Sequence, residues 1–206
     1  PGTTKPMAIL DLGAGSTDAS IINPQGEIVA THLAGAGDMV TMIIASELGL
    51  EDRYLAEDIK KYPLAKVESL FHIRHEDGSV QFFDSPLPAA VFARVVVVKE
   101  GKFIPLPGEF ALEKVRNIRR SAKERVFVTN SLRALQFVSP TGNIRDIPFV
   151  VLVGGSSLDF EVPQLVTDAL SHYNLVAGRG NIRGCEGPRN AVATGLILSY
   201  LRELPA

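Results

Sequence analysis

One cysteine, Cys185, is present in 206 residues, which rules out an internal disulfide and any zinc site built from several thiolates. That scarcity agrees with a reducing compartment, and a cytoplasmic setting is the expectation. Long apolar runs are missing as well: Phe149-Val150-Val151-Leu152-Val153 is strand-length, far short of the ~20 residues that cross a bilayer. No secretory signal is visible, and no membrane association is expected. Charge of one sign is also lacking, since a formal net charge of -2 gives no general attraction to nucleic acid or anionic lipid. The first position is not methionine. The chain opens on Pro-Gly-Thr-Thr-Lys-Pro and turns apolar almost at once, so it is expected to be a piece of something longer.

What is there is ordinary in bulk: 46% hydrophobic and 21% charged residues are usual for a soluble globular protein. A chain of this length can bury roughly 70% of its unfolded surface as one large or two small domains. The apolar run at 7–12 reads as a buried strand, 18–22 as a second and 27–33 as a third, with Asn23-Pro24-Gln25-Gly26 as the turn between the last two. Asp38 is placed to cap a helix carrying Val40, Ile43, Ile44 and Leu48 at helical spacing. A second helix is expected over 53–61, stopped by Pro63. Short alternating stretches separated by Asp-Gly, Ser-Pro and Gly-Lys signals make 64–108 a small, mainly β segment. A long helical segment over 110–138, a strand at 149–153, helices at 162–170 and 188–202, and a short strand near 175–177 complete a mixed α/β pattern.

Three stretches carry chemistry. In DLGAGSTDAS, residues 11–20, Gly13 and Gly15 let a backbone approach a ligand closely, so that successive amides converge on anionic oxygens. Asp11 at the strand end beside them suits a hydrated Mg²⁺ or an attacking water. An ordinary hairpin explains the same residues on this segment alone. Val151-Leu152-Val153 running into Gly154, Gly155, Ser156 and Ser157 is a second strand-to-glycine junction, with Pro163 opening the next helix; as an isolated feature it is also a common structural turn. In Ala56-Glu57-Asp58-Ile59-Lys60-Lys61, Glu57, Lys60 and Lys61 share one helical face. That face suits a ribose and a base, or is merely a solvated set of ion pairs.

Their order and spacing change the balance between these readings. DLGAGSTDAS resembles the second phosphate motif of the actin-like ATPase superfamily, VLVGGSSLDFEVPQL its adenosine motif, AEDIKK its adenosine-contacting helix and GPRNAVATGLIL its second connecting helix. The glycines of LAGAGDMVTMIIASELGL match the turn and helix that follow the phosphate hairpin. Within that superfamily, DLGAGSTDASIINPQGEIVATHLAGAGDMVTMII and GRGNIRGCEGPRNAVATGLILSYL most closely resemble the reactivating factors of diol and glycerol dehydratases, in their large subunit.

The resemblance implies a ribonuclease-H-like, actin-type α/β ATPase domain, a mixed sheet flanked by helices, with its core at 1–63 and 140–206 and a small α+β insertion at 64–139. It implies ATP or ADP and Mg²⁺ as ligands. Asp11, Gly13, Gly15, Ser16 and Thr17 would face phosphates and Mg²⁺, with Asp11 also the catalytic and metal-holding residue. Gly154, Gly155, Ser156 and Ser157 would face the adenosine, Glu57 and Lys60 the nucleoside, and Lys61 matches a basic position more loosely. The implied activity is that of a chaperone-like ATPase that frees an adenosylcobalamin-dependent dehydratase of damaged cobalamin, with a small subunit as partner and the dehydratase as client. A small-molecule kinase, a dehydratase activator and a cytoskeletal actin are the competing classes. The superfamily also needs a first phosphate motif, and none lies ahead of Pro1. The chain thus looks like one half of a nucleotide cleft, expected to bind ATP weakly alone and hydrolyse it negligibly.

Weaker signals are set aside. Gly178-Arg179-Gly180-Asn181-Ile182-Arg183-Gly184 has the spacing GxGxxxG, not the dinucleotide fingerprint. His72, His75, Glu76 and Asp77 suit a surface hairpin tip better than a metal site. Cys185 has no base partner in sequence and reads as an inert small residue. The basic stretch from Lys114 to Arg125, interrupted by Glu124 and without interleaved aromatics, reads as a solvated face and not a nucleic-acid surface.

Overall fold

The computed structural model describes residues 6–22 and 26–203. The expected turn at Asn23, Pro24 and Gln25 lies outside the described residues, as do positions 1–5. In chain order the elements are β1 (Met7–Leu12), β2 (Ser16–Ile22), β3 (Ile28–Ala34), α1 (Gly37–Leu48), α2 (Arg53–Lys61), β4 (Leu64–Ser69), β5 (His72–His75), β6 (Val80–Phe82), β7 (Val95–Lys99) and β8 (Lys102–Pro105). They continue as α3 (Leu112–Lys123), a π-helical segment (Glu124–Val128), α4 (Thr129–Val138), β9 (Phe149–Val153), α5 (Val162–Ser171), β10 (Val176–Arg179) and α6 (Ala191–Glu203). They pack as two compact units, one drawn from Pro1–Met39 and Lys123–Ala206, the other from Val40–Ala122. The segment 64–139 expected as an insertion begins inside the second unit and runs on into the first.

In the first unit the strand order is β10-β9-β1-β2-β3. β1, β2 and β3 form an antiparallel meander, and β9 and β10 run parallel to β1. The period-two pattern explains the layering. Ala8, Leu10 and Leu12 of β1 and Thr17, Ala19 and Ile21 of β2 are buried on one face, against α4, which contacts β1, β2 and β3. Asp11, Asp18 and Ser20 therefore share the opposite face. The parallel step from β9 to β10 needs a crossover, and α5 supplies it, with Leu165, Val166 and Leu170 buried. α6 is apolar and exposed along much of its length: Val192, Leu196, Ile197, Tyr200 and Leu201 are all open.

Two boundaries differ from expectation for physical reasons. β2 starts at Ser16 because its pairing with β3 begins there, Ser16 opposite Ala34. α1 starts at Gly37, so Asp38 lies in its first turn and does not cap it. The helix's first amides find acceptors in the β1–β2 hairpin instead: Gly37 N donates to Gly13 O (3.3 Å) and Asp38 N to Ala14 O (2.8 Å). Those bonds satisfy donors that every helix start leaves open.

The second unit holds an antiparallel sheet in the order β6-β5-β4-β7-β8. Ala65, Val67, Ile73, Val91 and Val96 form its core, with Phe83, Leu87, Val98 and Phe103 packed against them. α2 is capped by Asp52, whose carboxylate accepts from Tyr54 N (2.8 Å), and buries Leu55, Ala56 and Ile59. The β5–β6 connection is a hairpin closed by Asp77, which accepts from Ser79 N (2.9 Å).

The basic stretch is not a uniformly solvated face. Val115, Arg119 and Ala122 at the end of the second unit, and Lys123 and Val126 at the return to the first, are each buried, whereas Lys114, Arg116, Arg120 and Arg125 are exposed. Arg119, 1% exposed, pairs with Glu76 (2.8 Å) and donates to Tyr62 O (3.3 Å) within the second unit. Lys123, in the first unit, lies 2.7 Å from Asp159 and 2.8 Å from Glu161. Both cations sit on the apolar stripe, and the acids that receive them come from distant parts of the chain.

Candidate functional site

The site of the first unit grows from the ends of β1 and β9. β1 and β2 pair from Met7 opposite Ile22 to Leu12 opposite Thr17, so the chain turns over 13–16. Gly13 N donates to Ser16 O (3.0 Å), and a Cβ on Gly13 would sit 2.9 Å from that same oxygen. The hairpin's carbonyls are held from behind: besides the two bonds to α1, Gly15 O accepts from Gly35 N (2.8 Å). Gly35 adopts φ +99°. Its own carbonyl accepts from the Thr17 hydroxyl (3.1 Å) and the Asn130 amide (2.8 Å). Ala14 and Gly15 are exposed, and among the described residues no acceptor takes their amides. The hairpin thus presents donors outward.

Two carboxylates flank it. Asp11 and Asp18 are register partners across β1 and β2. Ser16 Oγ donates to Asp18 Oδ2 (2.9 Å), and His32 Nδ1 of β3 lies 2.5 Å from Asp18 Oδ1. Burial, and then the negative charge of Asp18, raise the Asp11 pKa above the usual carboxylate value. Hard oxygen donors in a pair that repels itself suit a hard divalent cation such as Mg²⁺. Both carboxylates line an open cavity of about 520 Å³ with Ile9, Ser20, His32 and Val153.

Beside them β9 runs into Gly154, at φ +87°, whose amide donates to Pro188 O (3.0 Å). A Cβ there would overlap the Asp11 carboxylate and approach Leu12 O to 2.6 Å, so only glycine lets the two strand ends come this close. The next residues form a single 3₁₀ turn, Gly155–Leu158. Ser156 Oγ donates to Gly13 O (2.9 Å) from 143 residues away, and Ser157 Oγ donates to Gly154 O (2.7 Å). The structure therefore brings Asp11, Gly13, Gly15, Ser16, Gly154, Gly155 and Ser156 together. Thr17 and Ser157 are fully buried; their hydroxyls tie the two turns internally.

Glu57, Lys60 and Lys61 belong to the second unit, on one face of α2. Lys60 Nζ lies 2.6 Å and Lys61 Nζ 2.7 Å from the Glu57 carboxylate. The Thr41 hydroxyl donates to that carboxylate, and Lys60 also donates to Thr41 Oγ1 (2.8 Å). Burial alone would raise the Glu57 pKa; hydrogen bonds from Lys60, Lys61 and Thr41 outweigh it and pull it down to about 2. Lys60 is buried within this network and Lys61 is exposed.

Sequence reasoning missed four contributors. Asp18 and His32 follow from strand register, which 11–18 pairing would have yielded once the hairpin length was fixed. Asn130 carries no local signal, because its partners lie about a hundred residues earlier. Arg189 has none either: its Nε sits 3.9 Å from where a Gly155 Cβ would be.

Comparison with known proteins places this geometry among relatives. The sequence model of a family described as "Diol dehydratase reactivase ATPase-like domain" matches residues 1–200. The chain is 86% identical over 203 residues to the propanediol dehydratase-reactivating factor large subunit of Salmonella typhimurium, covering 98% of this chain and 33% of that protein. A solved structure of a diol dehydratase-reactivating factor in nucleotide-free form superposes with a TM-score of 0.91 at 86% identity, over 98% of this chain and 34% of that one. An archaeal actin homologue superposes at TM-score 0.54 and 16% identity, over 98% of this chain and 50% of its own, a likeness of fold. The chain spans about a third of the length of the reactivating-factor large subunits it matches.

Proposed function

The chain belongs to the diol dehydratase reactivase ATPase-like domain family, and from that premise we propose that its first unit is one jaw of a split ATP-binding cleft. The single observation that carries this reading is the seating of Gly154 on Asp11, with Ser156 bonded to Gly13 O. It sets a phosphate-type hairpin and a nucleoside-type turn side by side. The outward amides of Ala14 and Gly15 receive phosphate oxygens of ATP or ADP, and the Ser16 hydroxyl joins them by turning from Asp18. Asp11, with Asp18 opposite, would hold Mg²⁺, which would neutralise charge on those phosphates. Asp11 also orients the attacking water.

The turn at 154–157 supports the adenosine. In the second unit, taken by itself, Glu57, Lys60 and Lys61 form a face of α2 suited to a nucleoside, with Lys61 the more accessible of its two cations. In the full-length protein the state of the γ-phosphate biases domain orientation and hence affinity for a protein client. That client is an adenosylcobalamin-dependent diol or glycerol dehydratase, from which damaged cobalamin is released, and the reactivating factor's small subunit is the partner.

The test is nucleotide turnover by the full-length protein. Asp11→Ala should abolish hydrolysis with the fold intact, as read by circular dichroism; wild-type turnover in that variant removes Asp11 from the mechanism. The 206 residues alone should bind ATP weakly and turn it over negligibly.

A further inference from the structure

Lys123 ends α3, where the chain re-enters the first unit, and none of its side chain is exposed. Its ammonium lies 2.7 Å from Asp159 Oδ1, 2.8 Å from Glu161 Oε2 and 4.5 Å from the centroid of the Phe160 ring. Taking an ammonium fully out of water is costly unless its partners are well placed. Here the partners are well placed, and they lead toward the site. Asp159 Oδ1 also accepts from Glu161 N (2.9 Å) and Val162 N (3.1 Å), two amides at the entry to α5. The amide of Asp159 donates to Ser156 O (3.1 Å) and closes the turn Gly155–Leu158. Ser156 in turn donates to Gly13 O of the phosphate-type hairpin.

We infer that Lys123 is a positioning residue for the nucleoside-type turn. The ammonium holds the carboxylates of Asp159 and Glu161 together, and the backbone between them fixes Ser156 against Gly13. Without the cation the two acids, with side chains only 10% and 11% exposed, repel each other and turn toward water, taking the end of the turn with them. Lys123 follows Ser121-Ala122 on a helix whose exposed charges give no hint of this, and it precedes a π-helical segment, a local widening often found near functional sites. The inference rests on reading that turn as nucleoside-binding.

The test uses the full-length chain with Lys123→Met, Lys123→Arg and Glu161→Gln. In ligand-free protein the amides of Ser157 and Asp159 should exchange with solvent at least tenfold faster in Lys123→Met, and to a lesser degree in Glu161→Gln. The KM for ATP should rise about tenfold in Lys123→Met with kcat within about threefold, because the turn supports the nucleoside and not the reacting phosphate. Lys123→Arg keeps the cation and should restore both protection and KM, whereas a purely volume-filling role would let methionine serve as well. If Lys123→Met does not fold, Glu161→Gln, which leaves the pair to Asp159, carries the same measurement. Unchanged exchange in a folded variant overturns the role of Lys123 whatever ATP does. Faster exchange in Lys123→Met, together with a wild-type protein that binds no ATP, overturns the nucleotide reading instead and supports the positioning of the turn on its own.

Discussion

Asp11 and Asp18 stand directly opposite each other across β1 and β2, two carboxylates on the open face of one sheet. Like charges in that relationship destabilise a strand pair. The folded protein therefore carries a repulsion at the point where the proposed cation would sit.

The first prediction concerns that repulsion. Burial and Asp18 raise the Asp11 pKa from 3.8, so the folded state holds this proton more tightly than the unfolded chain. The associated stability is present at low pH and is lost as pH rises through the raised value. Asp11→Asn should therefore stabilise the ligand-free protein at neutral pH by up to about 1 kcal/mol, towards the low end because the site is open to water. The gain should shrink as the pH falls through the raised value and be gone below the ordinary 3.8. Thermal melts across pH, with and without Mg²⁺, check it; a variant less stable than wild type at pH 7 refutes it.

Glu57 has the opposite sign. Its pKa falls from 4.5 to about 2, so its contribution is present above the ordinary value and is lost as pH drops between those two limits. Glu57→Gln should cost roughly 1.5–3 kcal/mol at neutral pH, the range for hydrogen bonds to charged groups, and should flatten that acid window. Acid titration monitored by circular dichroism compares the two proteins.

Gly154 and Gly155 are neighbours with different fates. A Cβ at Gly154 overlaps Asp11 and is only 2.6 Å from Leu12 O, while one at Gly155 meets only Arg189 Nε at 3.9 Å. Gly154→Ala should separate the two strand ends, cost several kcal/mol and eliminate ATP binding, whereas Gly155→Ala should fold with a change of about 0.5 kcal/mol or less. Equal stability of the two variants would contradict the close approach.

Arg119→Met removes the partner of Glu76, whose side chain is 12% exposed. Breaking a buried pair on one side typically costs about 3–5 kcal/mol. The double variant Arg119→Met with Glu76→Gln should recover part of that loss in denaturant unfolding, since no unpaired charge remains.

What was readable in advance was local. The alternation of Met7 to Leu12, the hairpin glycines and the bounds of α2, including its Pro63 stop, all follow from neighbours in the chain. What was not readable depends on contacts made across it. Arg119 and Lys123 looked like members of a charged face because Glu76, Asp159 and Glu161 lie 36 to 43 residues away. The Ser156 bond to Gly13 O closes over 143 residues, and only superfamily likeness suggested that the two glycine turns meet. Thr17 and Ser157 have the composition of ligand-facing residues, yet strand alternation and turn closure send their hydroxyls inward.

α6 has a practical consequence. Its open side chains, Val192, Leu196, Ile197, Tyr200 and Leu201, make a helix that is apolar on several sides, and such helices end up covered. A purified sample of these 206 residues will therefore be limited by concentration before heat. Light scattering should grow with protein concentration at temperatures where the sheets are intact, and mild detergent or Leu196→Lys with Ile197→Glu should suppress it without altering the melt.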